Sequence, residues 1–169
     1  ASMEPPKGLE MYNVYGPTEC TILSTIYRVT AREDNIPIGK PLQNLKCYVV
    51  DQFGHLLPPG ALGELIIAGP HVGIEYLNRP EKTKEVFIEN PFDGGEYAKA
   101  YRSGDIVRFR TDGEIEFIGR RDGQVKIHGF RIELSEVEAV IREFDGIRDA
   151  AVVAKDLGDD GKAGAAYIV

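Results

Sequence analysis

IVRFRTDGEIEFI, residues 106–118, is two alternating apolar–polar runs on either side of Thr111-Asp112-Gly113. An Asp-Gly pair between such runs signals a hairpin, because glycine takes the left-handed backbone that a tight turn needs. The segment predicts two antiparallel strands, and the chain around it predicts more. Upstream, TILSTIYRV (Thr21 to Val29), KCYVVD (Lys46 to Asp51) and GELIIAG (Gly63 to Gly69) have the β-branched content of strands. QFGHLLPPG between the last two is a turn and loop. NRPEKTKEVF begins a short helix at Pro80, a position where the missing N–H costs nothing. Downstream, QVKIHGFRIE reads as a strand and SEVEAVIREF as the one long helix. In that helix Ser135 and Glu138 form a capping box, Val137, Val140, Ile141 and Phe144 share a face, and Gly146 ends it. AAVVAKD and AAYIV are the last strands, with GDDGK and its Gly161-Lys162 as the turn between them.

The expected fold class is therefore α+β and strand-rich. Residues 1–120 are expected to form the strand-rich end of a larger domain and 121–169 a second, incomplete α+β unit. The charged, glycine-flanked Gly119-Arg120-Arg121-Asp122-Gly123 is the expected junction. Val169 falls inside an apolar strand, so the chain reads as a fragment that leaves apolar strand surface exposed.

Composition narrows the function. The chain has 169 residues, with 20 Lys and Arg against 27 Asp and Glu, a formal charge of −7. Apolar residues make up 43 %, enough for a packed core. An acidic chain without a basic cluster excludes nucleic acid as a partner, since phosphate binding needs grouped Lys and Arg. No apolar run approaches the roughly 18–20 residues of a membrane span, so no membrane partner is expected. Cys20 and Cys47 make neither a disulfide framework nor a zinc site, and His55, His71 and His128 lack metal-ligand spacing. The expected location is the reducing cytoplasm.

Two short motifs carry candidate chemistry. In Asn13-Val14-Tyr15-Gly16-Pro17-Thr18-Glu19, Gly16-Pro17 fixes a turn that displays Tyr15, Thr18 and Glu19. A hydroxyl beside a carboxylate suits a metal–phosphate site, and the flat tyrosine ring suits a base. The same heptad also reads as a plain turn with Thr18 capping a helix. In Tyr101-Arg102-Ser103-Gly104-Asp105 an ionised carboxylate can accept from both vicinal hydroxyls of a ribose, one per oxygen. Alone, Asp105 also reads as a turn residue at a strand end.

Taken in order, NVYGPTE (13–19), GELIIAG with GIEYLNRPEKT (63–83), YRSGD (101–105) and GRRDGQVKIHGFRIELSEVE (119–138) resemble the AMP-forming adenylating enzymes. The resemblance is closest to the amino-acid-activating adenylation domains of nonribosomal peptide synthetases, and it covers nearly the whole chain. Ser103 stands where the family has Thr, His128 where it has Arg, and Ile74-Glu75 where it often has Ala-Arg-Gly. The resemblance implies a distorted β-barrel subdomain in 1–120 and the first part of a C-terminal lid in 121–169, with the hinge at Asp122. It implies that Asn13, Tyr15, Gly16, Thr18, Asp105, Phe117 and Arg120 surround ATP or AMP. Tyr15 would stack on adenine, Thr18 touch phosphate, Asp105 hold the ribose, and Phe117 and Arg120 lie beside the adenosine. Glu19 would hold Mg2+, Val14, Ile22 and Leu23 would line the substrate pocket, and Lys126 with Gly129 would belong to the lid face used in thioester formation.

The implied reaction is ATP and an amino acid to aminoacyl-AMP and pyrophosphate, then transfer to the phosphopantetheine of a carrier domain. Neither a phosphate loop before Asn13 nor a late lid lysine is found in the chain. The expected partners therefore include the remainder of the domain, and the fragment alone is expected to be inactive. Two other readings stay open: an acyl- or aryl-CoA ligase of the same superfamily, and a non-catalytic split piece. QVKIHGFRIELSEVE favours the peptide synthetase branch.

Overall fold

The computed structural model describes residues 5–92, 94–121, 125–127, 130–132, 134–156 and 162–169. The chain divides into two compact units, Ala1–Gly119 and Arg120–Val169.

The first unit opens with β1 (Met11–Tyr15), a 3-10 turn (Thr18–Cys20), β2 (Thr25–Val29) and β3 (Lys40–Pro41). These strands form one antiparallel sheet in the order β1-β2-β3. A second sheet holds β4 (Lys46–Val50), β5 (Gly63–Ala68), β7 (Lys99–Phe109) and β6 (Phe87–Glu89) in that order, with α1 (Pro80–Val86) leading into β6. β8 (Ile115–Arg120) also pairs with β7. Ile38 N–H donates to Ile115 O at 2.8 Å, and Ile115 N–H donates to Gly39 O at 3.0 Å. That bridge joins the two sheets into a curled half-barrel.

β5 is the centre of the unit. It pairs with β4 on one side and β7 on the other, and all six of its residues are buried. Because side chains alternate along a strand, Leu65 and Ile67 pack with Cys20, Cys47, Val49, Tyr101, Val107 and Ile115. Ile66 and Ala68 pack on the other face with Val50 and Ala100. Each fully buried Leu or Ile stabilises the fold by roughly 1.5–3 kcal/mol. The hairpin between β7 and β8 closes through Arg110 N–H to Glu114 O at 2.7 Å, with Gly113 at φ 80°.

In the second unit β9 (Val125–Ile127) pairs antiparallel with β10 (Phe130–Ile132). QVKIHGFRIE is thus two short paired strands and not one, with 128 and 129 outside the described residues. α2 (Leu134–Arg142) follows, then β11 (Ala150–Asp156) paired antiparallel with β12 (Lys162–Ile168). Lys162 lies within β12 opposite Asp156, and Gly161 lies outside the described residues. α2 starts at Leu134, one residue before the expected cap Ser135. The Glu138 carboxylate accepts Val152 N–H at 2.8 Å, a tertiary contact to β11, and the Ser135 side chain of the expected capping box lies outside what the structure describes. Arg142 donates from Nε to Asp149 Oδ1 at 2.8 Å and from Nη2 to Ala150 O, fixing α2 on β11. The same guanidinium, helped by Ala150 N–H, holds the Asp149 carboxyl below its usual value.

Candidate functional site

β1 and β2 are joined by residues 16–24, and this loop is tighter than its sequence suggests. TILSTIYRV, read as one strand, is a strand only from Thr25. Thr21 and Ile22 have φ of 55° and 74°, a left-handed backbone that is sterically costly for β-branched residues. The cause lies at Gly16, where a Cβ would sit 2.3 Å from Ile22 O and 2.7 Å from Leu23 Cα. The returning backbone therefore runs directly over Gly16. Leu23 N–H donates to Thr21 O at 2.9 Å and Ser24 N–H to Tyr15 O at 2.8 Å, which closes the loop.

Thr18 and Glu19 stand in the 3-10 turn of this loop. Its N-cap is Pro17 and no side chain caps it, so the alternative reading of Thr18 as a helix cap is not what folds. Thr18 is exposed. The Glu19 carboxylate accepts the Tyr76 hydroxyl, and Glu19 O accepts Gly73 N–H at 2.7 Å. Thr21 Oγ1 donates to His71 O at 2.9 Å, so the turn is laced to residues 71–76. Tyr76 is held from behind, its N–H donating to Thr83 Oγ1 at 3.0 Å and its ring meeting Phe87 edge-on at 5.4 Å. Burial first, then Glu19 and Tyr101, push the Tyr76 hydroxyl far above its ordinary range.

Tyr15 ends β1 and donates its hydroxyl to Asp105 Oδ2, 90 residues on. Burial, and then the Asp105 carboxylate, hold the Tyr15 hydroxyl well above 10.0. The Phe117 ring lies 6.4 Å from that of Tyr15 at 37° and is 42 % exposed. Asp105 is 5 % exposed and lies inside β7, which runs unbroken from Lys99 to Phe109; it is no turn residue at a strand end. Tyr101, four residues earlier on β7, touches Tyr76. The end of β1 and the loop after it are thereby tied to one strand at two points, Tyr15 to Asp105 and Glu19 through Tyr76 to Tyr101.

The other expected residues fall as follows. Asn13 Nδ2 donates to Pro37 O at 2.7 Å, a contact that fastens β1. Val14 and Ile22 are exposed, at 51 % and 78 %, and Leu23 is half-buried. Ile22 and Leu23 lie in the loop, so strand alternation does not govern which way they face. Arg120 ends β8 and begins the second unit. Lys126 lies in β9, whereas Asp122 and Gly129 are outside the described residues.

Two residues not singled out from sequence join the site. One is Tyr76, the tyrosine of GIEYLNRPEKT. The other is Glu64, whose carboxylate is 4 % exposed beside Arg102 and Gly104. Both belong to motifs visible in the sequence, and a charge in the otherwise apolar run GELIIA is the signal for the second. Cys20, directly after Glu19, is pushed up to about 12 by burial and by that carboxylate. Its thiol is a core group and not a nucleophile.

The arrangement offers two aromatic faces beside a buried carboxylate, and a second carboxylate next to a hydroxyl. Among the described residues no three His, Cys, Asp or Glu side chains gather as a metal site. A lone carboxylate with a neighbouring hydroxyl fits magnesium, which takes one or two carboxylates and completes its shell with phosphates and water.

Residues 5–77 match the AMP-binding enzyme family. Tyrocidine synthase 3 of Brevibacillus parabrevis is 48 % identical over 164 residues, spanning 95 % of this chain and 2 % of that protein. Bacitracin synthase 1 of Bacillus licheniformis is 45 % identical over 162 residues, 96 % of this chain and 3 % of that protein. Among solved structures, a holo NRPS protein containing adenylation and PCP domains superposes with a TM-score of 0.86 at 34 % identity, over 95 % of this chain and 28 % of that one. A four-domain nonribosomal peptide synthetase bound to AMP and glycine is 45 % identical with a TM-score of 0.63, over 94 % of this chain and 12 % of that one. The chain thus spans a few per cent of the curated relatives and under a third of these solved chains. With its four motifs, its half-barrel and its tyrosine–aspartate pair, the chain carries an AMP-binding enzyme match over residues 5–77 and is similar over nearly its whole length to adenylation-domain stretches of nonribosomal peptide synthetases.

Proposed function

We propose that this chain, together with the remainder of an adenylation domain, activates an amino acid. The amino acid's carboxylate oxygen attacks the α-phosphorus of ATP, the bond to the bridging oxygen breaks, and pyrophosphate leaves. A carrier domain's phosphopantetheine thiolate then attacks the acyl carbon and AMP leaves. The observation that carries this reading is the Tyr15 hydroxyl on Asp105 with the Phe117 ring alongside. A carboxylate offers about four acceptor positions, so a tyrosine hydroxyl and two ribose hydroxyls fit on one group. The adenine then lies against Tyr15 and Phe117. Thr18, at the start of the exposed turn, donates to phosphate. Glu19 would hold magnesium, which supplies neutralisation of the phosphate charge. Arg120 would lie near the ribose, Asp122 would be the hinge between the barrel unit and the lid that begins near 121, and Lys126 would belong to the lid face used for thioester formation.

Val14, Ile22 and Leu23, all apolar and beside the same turn, support an apolar substrate side chain, since an unpaired charge buried there would be costly. The two free buried thiols support a cytoplasmic setting. No helix among the described residues is long and apolar enough to cross a membrane.

The test is amino-acid-dependent exchange of pyrophosphate into ATP by the adenylation domain that contains this chain. Exchange with an apolar amino acid is expected, with Glu19→Ala at background and Asp105→Ala raising KM for ATP roughly ten- to hundredfold. Exchange with no amino acid, or an undiminished rate in Glu19→Ala, overturns the reading. Preference for Asp, Glu, Lys or Arg overturns the apolar pocket alone.

A further inference from the structure

We propose that Glu64 is the positioning residue that aims Asp105 at the ribose, an inference that rests on the nucleotide reading above. The register of β5 against β7 pairs Glu64 with Ile106 and Ile66 with Arg102. One residue of β5, Leu65, thus faces three of β7: Ser103, Gly104 and Asp105. Such a bulge re-aims the side chains it carries. It is possible only because Gly104 takes φ 72°, where a residue with a Cβ is strained.

Four hydrogen bonds tie the bulge to β5 and to itself. Glu64 Oε1 accepts Gly104 N–H at 3.3 Å, and Glu64 Oε2 accepts the Arg102 guanidinium at 2.5 Å. Ser103 Oγ donates to Leu65 O at 2.8 Å and accepts Asp105 N–H at 3.0 Å. One carboxylate on β5 therefore holds the two residues flanking Ser103, and Ser103 holds the backbone of Asp105. Burying a carboxylate in the central strand is costly unless it is fully paired. Neighbouring Leu65, Ile66 and Ile67 show that the strand otherwise takes only apolar side chains. The charge at this position is compensated by the shape it imposes on Arg102–Asp105, and that shape places Asp105 under the Tyr15 hydroxyl.

The experiment measures dissociation constants of AMP and 2′-deoxyAMP for the adenylation domain that contains this chain, by calorimetry or ligand-observed NMR. The ratio of the two reads the grip on the ribose hydroxyl separately from the fold. In the wild type AMP is expected to bind roughly tenfold or more tightly, the worth of one hydrogen bond to a charged group. Glu64→Leu is expected to bring the ratio to about one, as does Asp105→Ala. Glu64→Gln keeps an acceptor for Gly104 N–H and should restore part of the ratio. Ile115→Val, which loosens the same core away from the bulge, should leave the ratio unchanged. If Glu64→Leu does not fold, Glu64→Gln decides, since a ratio equal to wild type there overturns the inference. A wild-type preference that survives both Glu64 changes overturns this inference and leaves the nucleotide reading standing. A wild type that takes both nucleotides equally overturns the nucleotide reading and this inference with it.

Discussion

Gly16→Ala is the sharpest test of how the turn is built. Gly16 does not take a left-handed φ, so the cost of alanine there is argued from space. The new Cβ would stand 2.3 Å from Ile22 O, 2.7 Å from Ile22 C and 2.7 Å from Leu23 Cα. All three are backbone atoms, so no side-chain rotation relieves the overlap. Ordinary contact would require the 22–23 peptide to retreat by about 1 Å. That peptide has little slack, because Thr21 and Ile22 are already left-handed and the Leu23 and Ser24 N–H groups are both bonded. Overpacking usually costs about 1–3 kcal/mol, and an obstacle made of backbone places this change at about 3. The chain has eight tyrosines and no tryptophan, so tyrosine emission in urea follows unfolding. With a slope of about 2 kcal/mol per molar, the midpoint should fall by about 1.5 M. Gly119→Ala, where a Cβ meets nothing within 4 Å, is the control and should stay within about 0.5 kcal/mol. A Gly16→Ala midpoint within about 0.3 M of wild type would refute the reasoning.

Three further outcomes are expected. Tyr15 holds its proton well above 10.0 in the fold, so its contribution to stability is complete below pH 10.0 and is lost as pH rises through the folded value. Ultraviolet titration should therefore show one more late-ionising phenol in the wild type than in Tyr15→Phe, and identical curves would remove the Asp105 contact. Cys20 and Cys47 are both buried, with the Cys20 thiol pushed up to about 12, so a thiol reagent at neutral pH should label neither until denaturant is added; rapid native labelling measured by mass spectrometry would contradict this. Leu65→Ala, at a fully buried position of β5, should cost about 2–5 kcal/mol in urea unfolding, whereas Ile22→Ala, 78 % exposed, should change stability by about 0.5 kcal/mol or less. Equal losses would mean that the core has been misplaced.

The parts of the fold that the sequence made legible are those whose cause is local. Asp112-Gly113 between alternating runs determines its hairpin within a few residues, and Pro80 starts α1 for the same local reason. The parts that were not legible depend on a distant strand. YRSGD looks like a turn because of its glycine and aspartate, yet β7 runs through it because Glu64, 40 residues before Gly104, holds the bulge. TILSTIYRV has strand composition throughout, but Gly16 draws the Ile22–Leu23 backbone over itself and delays the strand to Thr25. In the second unit, SEVEAVIREF was legible as a helix from its period, with its start within one residue of Leu134, whereas its tertiary anchoring was not. Glu138 is drawn to Val152 N–H on β11, a contact no local pattern reveals. The candidate site follows the same division. Tyr15, Glu19 and Asp105 stand out by residue type in recognisable motifs, while Tyr76 reaches Glu19 across 57 residues and could be placed only by the fold.

β5 is bonded on both edges and covered on both faces, so its amides should be the last in the first unit to exchange with solvent. Asp105 is tied to that strand through Ser103 and Leu65 O, and so to the slowest-opening part of the unit. Thr18 and Glu19 sit on a loop of nine residues whose tip at Thr21 and Ile22 is exposed, while Cys20 and Ser24 are buried and residues 71–76 hold it from outside. The two ends of the site are thus expected to differ in their opening free energy. Within the first unit, amides near Asp105 are expected to exchange later than those at the exposed loop tip, Thr21 and Ile22, while Cys20 keeps the base of that loop in the core.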